Sequence, residues 1–486
     1  MTISPSDVVD VVVVGAGPAG LASATAAGTR GASVALVDAG VAPGGQYWRH
    51  PATARLGRVE TQGVDEESLA HLHHGLRDYR RLVDLLAGHV DAGTTRYLSQ
   101  HHVWTIERDD DGFAVHAVDR SGPSERAVEV RGRRLVLAPG AYDRQVPFPG
   151  WTLPGVMTAG GAQALLKGNG VVAGARVVVA GTGPFLLPVA AGLAKAGADV
   201  VGVHEAASAR AWLRHTGAVL RNANKLGEGL GYARALARHK VPVKSRSVLV
   251  AAHGGERLTA VTVARAGRDG VVPGTEQLIE CDTLAVGWGF TPQLELPLEL
   301  GCETRVDTDG SLVCVVDDDQ QGSVPGVFVA GEAGGVGGAV LALVEGAIAG
   351  AAASGVPVRD ARLKRQRSAL RWFAAAMHTA HPVPSGWTAR LTDDTIVCRC
   401  EEVSAARLLA AVGAGASDAR AAKLMARPGM GWCQGRVCGY ATTCLTAAWS
   451  GAPYRPELTG SRPVAAPLTL GTLGEASTGG TYRPEA

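Results

Sequence analysis

The 486-residue chain lacks a charge excess: 47 Lys and Arg stand against 45 Asp and Glu, a formal balance of +2. That argues against nucleic acid or a membrane surface as partner and leaves small molecules and other proteins. Asp7 and Asp10 interrupt the only early apolar run, so there is no basic segment followed by a signal core, and a cytoplasmic location is expected. No transmembrane segment is expected either. The longest apolar stretch near the middle, 337–353, contains Glu345 and falls short of the roughly 20 residues needed to cross a bilayer; it reads as a buried helix. What the chain has in excess is glycine, 65 residues, about twice the usual share of roughly 7%. The glycines cluster in turns beside apolar strands, as nucleotide-binding folds use them. The length suits two or three cores of roughly 100 to 200 residues each.

A Val-rich run over 8–14, a helix over 19–30 and a strand over 33–38 make a βαβ unit. Between strand and helix lies Gly15-Ala-Gly17-Pro18-Ala19-Gly20, and Asp38 follows at the end of the second strand. Gly15 permits the tight turn, Gly17 lets a pyrophosphate approach the backbone, and Gly20 allows close helix packing; Asp38 would accept from an adenosine ribose. Three later signals accompany this fingerprint: Gly44-Gly45-Gln46, Leu137-Ala138-Pro139-Gly140, and Val327 to Glu332 with Gly331-Glu332 at its end. Together they resemble the FAD-binding domain of two-dinucleotide-binding-domain flavoproteins. That family usually ends the last motif in Asp, so the contact of Glu332 with flavin is less secure than that of Gly331.

A helix over 66–88 and short strands over 103–107, 113–118, 127–130 and 135–137 read as an insertion. His71, His73 and His74 fall on that helix, on a solvated or core face. A second βαβ runs from a strand at 176–180 through Gly181-Thr-Gly183 to a strand at 200–203 and Glu205. The same physics would bind an adenine nucleotide, with the acid favouring NAD over NADP. Leu186 replaces the third glycine and keeps the helix from sitting close, so NAD, another adenine nucleotide such as ATP, or nothing all remain open. The expected order is a first FAD-binding part over 1–158, an NAD(P)-binding-like Rossmann domain over 159–304, and a second FAD-binding part over 305–360. A helical linker over 361–390, a cysteine domain over 391–453 and a Pro/Gly-rich tail over 454–486 follow. His381-Pro382 reads as a loop.

Cys398, Cys400, Cys433 and Cys438 form a CxC and a CxxxxC. Four thiolates in two pairs hold either a 2Fe-2S cluster or a structural zinc; zinc is the weaker reading because its paired thiolates more often stand two to four residues apart. Cys281, Cys302, Cys314 and Cys444 fit small core residues. With helices over 405–412 and 419–425 in the gap, the segment resembles the bacterioferritin-associated-ferredoxin-like 2Fe-2S domain.

The joint set is more specific than its parts. Pro43 to Tyr47, Ala141 to Gly155, Gly331-Glu332 and the cysteines resemble the α subunits of hetero-oligomeric amine and imino-acid dehydrogenases. That group includes opine oxidase A subunits, the hydrogen cyanide synthase B subunit and hydroxyproline or proline dehydrogenase α subunits, and part of the sarcosine oxidase α subunit is similar. The resemblance implies an α/β fold of two Rossmann-like domains, the first interrupted by the second, plus a small α-rich 2Fe-2S domain. It also implies an electron-relay role: FAD and a 2Fe-2S cluster here, an FMN shared at a subunit interface, a second flavoprotein (β) subunit carrying the substrate site, and a small ferredoxin-like subunit. No CxxC or CxxxxC precedes Cys398, so disulfide reduction is not expected. A self-contained NAD(P)H-dependent reductase is the rival reading, and a noncatalytic assembly subunit with a vestigial flavin fold is a third. No catalytic base is assigned; Tyr142, Asp143 and Arg144 either line the flavin or fix the interdomain link.

Overall fold

The computed structural model describes residues 7–50, 72–267, 270–384, 386–460 and 464–477. Val9–Val14 is buried along almost its whole length, which explains its unbroken apolar run: it is the centre of a parallel sheet with helices on its faces. Val34–Val37 pairs with it on one side, followed by Thr95–Leu98; Arg126–Leu137 and Val327–Val329 continue the parallel sheet on the other. The two strands expected at 127–130 and 135–137 are one 12-residue strand. Its first half pairs antiparallel with Gly112–Asp119, and its second half runs parallel to Val9–Val14. The meander of His101–Asp109, Gly112–Asp119 and this strand is therefore continuous with the dinucleotide-binding sheet.

The helix Ala339–Ala353 closes the unit against Pro18–Gly28. A Cβ on Gly346 or Gly350 would lie 2.1 Å from the carbonyl oxygens of Ala19 and Ser23, so these two glycines let the helices touch backbone to backbone. Leu294, Leu296 and Cys302, placed before residue 305, share the core of this first sheet. A helix is found at Leu76–Asp91 rather than from residue 66. His73 and His74 precede it, with Gly75 in the left-handed region at its start, whereas 66–71, including His71, lies outside the described residues.

The second sheet is parallel, in the order Val243–Ser245, Asp199–Glu205, Arg176–Gly181, Thr283–Gly287, Val156–Thr158. The two chain crossings between the units pair as an antiparallel ribbon, Ala141–Asp143 with Phe290–Pro292. After the helix Ala361–Ala380 comes a small cysteine-bearing part: the hairpin Ile396–Cys398 with Val403–Ser404, then helices Ala405–Gly413, Ala419–Ala426 and Gly439–Ser450. Ser404 and Asp418 cap two of these helices by accepting from Arg407 N and Ala421 N, as such residues do at helix starts. Val397, Leu408, Ala422 and Leu445 pack in one core with Phe148, Trp151, Leu284 and Val286, so this part rests on the second unit and the crossing. Val464, Ala466 and Leu468 of the tail return to Trp104 and Val118 of the meander. Among the described residues no helix is long and apolar enough to cross a membrane.

Glu345, wholly buried, is held in a bidentate pair by Arg371 at 2.6 and 2.7 Å, and Arg371 also donates to Gly335 O at 2.7 Å. Burial raises the pKa of Glu345, and the Arg371 charge opposes that rise. Arg371→Leu would remove the fork and leave Glu345 the more distant Arg367 guanidinium at 3.7 Å, so a loss of about 3 kcal/mol is expected, read as a lower urea midpoint. Arg371→Lys, which keeps the charge without the fork, should fall between variant and parent.

Candidate cofactor and thiol sites

The strand Val9–Val14 ends at Gly15, whose φ is +98° and where a Cβ would lie 2.3 Å from Ala138 O. Only glycine fits this turn, which is wedged against the end of the neighbouring strand. A Cβ on Gly20 would strike Gly15 O at 1.6 Å, so helix Pro18–Gly28 stands directly on the turn. Pro18 opens that helix, and no side chain caps its N-terminus, which leaves free N–H groups in the geometry that receives an anion. Across from it, a Cβ on Gly45 would come within 2.8 Å of Gly17 Cα; the two glycines form a cradle that side chains would fill. Asp38 accepts from Ala16 N at 2.8 Å and Gly40 N at 2.9 Å, and burial raises its pKa. Its carboxylate still has lone pairs to spare for ribose hydroxyls.

The remaining flavin candidates converge on the same edge. Ala138 N donates to Val14 O, Gly140 has a φ of +84° with open space at its Cβ position, and Gln46 accepts from Arg49 at 3.0 Å. Gly331 N donates to Glu345, which links this turn to the buried pair above. Glu332 accepts from Gly337 N and Gly338 N, both at 3.0 Å, and burial pushes its pKa up to about 7. Its carboxylate thus shapes the loop.

The second glycine turn is built differently. Gly181 packs against Gly287, but the helix starts only at Leu186, a buried side chain, with Phe185 at its N-cap. Glu205 accepts from Gly183 N at 2.9 Å, Ala207 N at 2.9 Å and Thr182 Oγ1 at 3.1 Å. His381, read from sequence as a loop residue, reaches the same carboxylate at 3.5 Å. Trp212 Nε1 donates to His381 Nε2 at 2.9 Å, which leaves Nδ1 facing Glu205.

The four cysteines meet in two pairs. Cys398 and Cys438 are buried, Cys433 half-buried and Cys400 exposed. Contact with the Cys438 thiol lowers the Cys398 pKa to about 6, helped by the N–H groups of Gly429, Glu401 and Cys400 against burial; the same contact raises Cys438. Cys400 contacts both the backbone and the thiol of Cys433. Each of these contacts joins a CxC cysteine to a CxxxxC cysteine. Among the described residues, no group of three or more His, Cys, Asp and Glu is placed to hold a metal ion. Arg436, between Cys433 and Cys438, donates to Tyr142 Oη at 3.1 Å and pairs with Glu295 at 2.9 Å, joining the thiol loop to the crossing ribbon. Asp143 accepts from Thr158 at 2.7 Å, and Arg144 is buried against Asp309, so all three residues of that run are engaged in the interdomain link.

Sequence reasoning missed Lys167. It is 6% exposed, its ammonium donates to Tyr47 O at 3.0 Å, and it lies 5.6 Å from the Tyr47 ring. The residue lies on Ala159–Asn169 one position past the apolar stripe of Ala159, Ala162 and Leu166, and nothing in that pattern tells that a lysine there points inward.

These two interleaved Rossmann-type units, with a glycine cradle and an uncapped helix N-terminus in the first, define an α/β flavoprotein oxidoreductase scaffold, and the fold implies FAD binding. A family model described as pyridine nucleotide-disulphide oxidoreductase matches residues 9–351. The chain is 34% identical over 452 residues to the hydrogen cyanide synthase subunit HcnB of Pseudomonas aeruginosa, covering 90% of this chain and 92% of that one. It is 32% identical over 457 residues to the A subunit of opine oxidase from Rhizobium meliloti, with 90% and 92% covered. The crystal structure of L-proline dehydrogenase from P. horikoshii superposes with a TM-score of 0.64 at 18% identity, over 96% of this chain and 79% of that one, a likeness of fold. The chain belongs to the pyridine nucleotide-disulphide oxidoreductase family, and its relatives include subunits of multi-subunit oxidases and dehydrogenases.

Burial lowers Lys167 from its ordinary 10.5 to about 8. Below pH 8 folded and unfolded chains both carry this proton, and the burial penalty is whole. Between pH 8 and 10.5 the folded chain loses it first, so this group's contribution improves as pH rises. Lys167→Met is expected to be more stable than the parent by about 3 kcal/mol at pH 7, the difference shrinking toward pH 10.5. Urea midpoints of both proteins at pH 7, 9 and 10.5 check this, and an equal gap at all three would refute it.

Proposed function

We propose that the chain is the FAD- and 2Fe-2S-bearing relay subunit of a heteromeric dehydrogenase that oxidises the C–N bond of an amine, opine or imino acid, with the substrate site on a second flavoprotein subunit. The observation that carries this is the pairing of the thiols, Cys398 with Cys438 and Cys400 with Cys433, in a domain bolted through Arg436 to the ribbon beside the flavin candidates. Two pairs suit a two-iron cluster, in which each iron takes two cysteines; a structural zinc needs all four around one ion. N–H groups aimed at Cys398 favour its thiolate. When bound, FAD supplies two-electron chemistry and the cluster a one-electron outlet.

The residues of this chain divide the work. Gly15, Gly17, Pro18, Ala19 and Gly20 receive the pyrophosphate at the helix start, Asp38 takes the ribose, and Gly45, Gln46, Ala138, Gly140 and Gly331 line the flavin side, with Glu332 bracing the last loop. Gly181, Gly183 and Glu205 form a turn that binds no NAD in this reading, because His381 already occupies the flank of Glu205. The relatives named as subunits support a complex rather than a lone enzyme.

Anaerobic co-purification from the host is expected to bring down a second flavoprotein and about two irons per chain. Cys433→Ser should remove the iron and the amine-to-dye activity while leaving FAD bound. Zinc without iron would sink the cluster assignment, and a chain that runs alone and turns over an amine would sink the relay. Anaerobic NADH, added in excess, is expected to leave the flavin absorbance unbleached; full bleaching would establish the self-contained NADH-dependent reductase instead.

A further inference from the structure

The surface beside Cys400 exposes large apolar side chains. Trp432 is 81% exposed and Leu424 70%, and Met425 and Met430 are exposed with them. A Cβ on Gly431 would lie 2.3 Å from Cys400 Cβ, so Trp432 follows directly on the residue packed against exposed Cys400. Helix Ala419–Ala426 buries Ala419, Ala422 and Ala426 and leaves Arg420 and Leu424, one turn apart, on its outer face. The segment 419–433 carries Arg420, Lys423 and Arg427 and no acid. Asp418 is turned onto the helix start, where it accepts from Ala421 N, Glu401 is paired with Arg427 at 2.9 Å, and the exposed Glu402 is matched in charge by the exposed Arg399, which leaves Arg420 and Lys423 as the excess. An apolar centre with a charged rim is the anatomy of an interface. A patch of four side chains is small for a permanent subunit contact and matches the low end of the size range, where electron-transfer encounters fall.

We propose that this face docks an acidic one-electron carrier protein; Cys398, Cys400, Cys433 and Cys438 would hold the cluster of the relay reading, which would supply the one-electron chemistry beside it. The cationic rim recruits the carrier by long-range attraction, and the apolar centre with Trp432 excludes water at the point of contact. Two-electron oxidation of the donor in the complex releases two electrons and two protons. One electron passes at each encounter, two oxidised carriers are reduced in succession, and both protons go to water. The proposal rests on the relay reading and adds the class of acceptor and the surface it uses.

The test uses the purified holo-complex, reduced anaerobically with dithionite and mixed in a stopped-flow instrument with one of three oxidants. An acidic b-type cytochrome is the probe, a basic c-type cytochrome the charge control, and ferricyanide a small acceptor that needs no docking. The rate with the acidic cytochrome is expected to fall about tenfold or more between low and roughly 0.3 M salt. It should fall about tenfold in Arg420→Glu/Leu424→Ser at low salt, with the ferricyanide rate and the iron content unchanged. Equal rates for the two cytochromes without salt dependence, or no effect of the double variant, overturn the proposal. So does protection of Trp432 from hydroxyl-radical labelling by the co-purified flavoprotein subunit, which would assign the face to that permanent partner. A complex that contains no iron and gives no cluster EPR signal fails before any kinetics, and that outcome removes the relay reading itself.

Discussion

Arg144 leaves the first unit at the crossing ribbon and is sealed from water, its side chain 3% exposed. Its guanidinium donates to Asp309 Oδ2 at 2.6 Å and Phe290 O at 2.9 Å, and lies 4.5 Å from the ring of Tyr440. One cation thereby ties the outgoing crossing, the returning crossing, the resumed part of the first unit and the cysteine-bearing part. Burial raises the pKa of Asp309, and the Arg144 charge, with lesser contributions, more than reverses this, so the carboxyl stays below its usual range. A buried pair of this kind is weak as net stabilisation but costly to half-remove. It holds both crossings, the resumed part of the first unit and the cysteine-bearing part in one register.

The two glycine turns show how one fold can present an open and an occupied version of the same loop. Both hold an acid at the end of the second strand against backbone N–H groups. In the first, Asp38 accepts from Ala16 N of the turn and from Gly40 N, and the helix begins one residue after Gly17. In the second, the helix begins three residues after Gly183 and the linker brings His381 and Trp212 onto the acid. Replacing the third glycine with Leu186 is what displaces the helix start, since a buried leucine fills the space a close helix would need.

Much of the scaffold was legible because its signals are local. The fingerprint at Gly15 to Gly20, the strand at Arg176–Gly181 and the helices after Cys400 all follow from apolar runs, period and spacing over a dozen residues. What escaped are facts of tertiary contact. That 127–130 and 135–137 are one strand depends on its serving two partners at once, and that Lys167 points inward depends on Tyr47, 120 residues away. His381 and Arg144 act on residues more than 140 positions distant. The break at 72–75 within the expected helix also escaped, because Gly75 is a weak signal in an otherwise polar-apolar pattern.

The interruption of the first unit by the second has a consequence for how the chain acquires its form during synthesis. Val327–Val329 completes the first sheet, and Ala339–Ala353 supplies the helix on which Pro18–Gly28 rests. The ribosome must therefore extend the chain by more than 300 residues beyond Gly28, on the order of tens of seconds, before that helix has its partner. The second unit, whose sheet spans 156–287, has all its strands well before then. The N-terminal fingerprint, first to be made, is among the last parts to be finished, and the growing chain carries an apolar sheet edge at residues 135–137 until its own distant strand arrives to cover it.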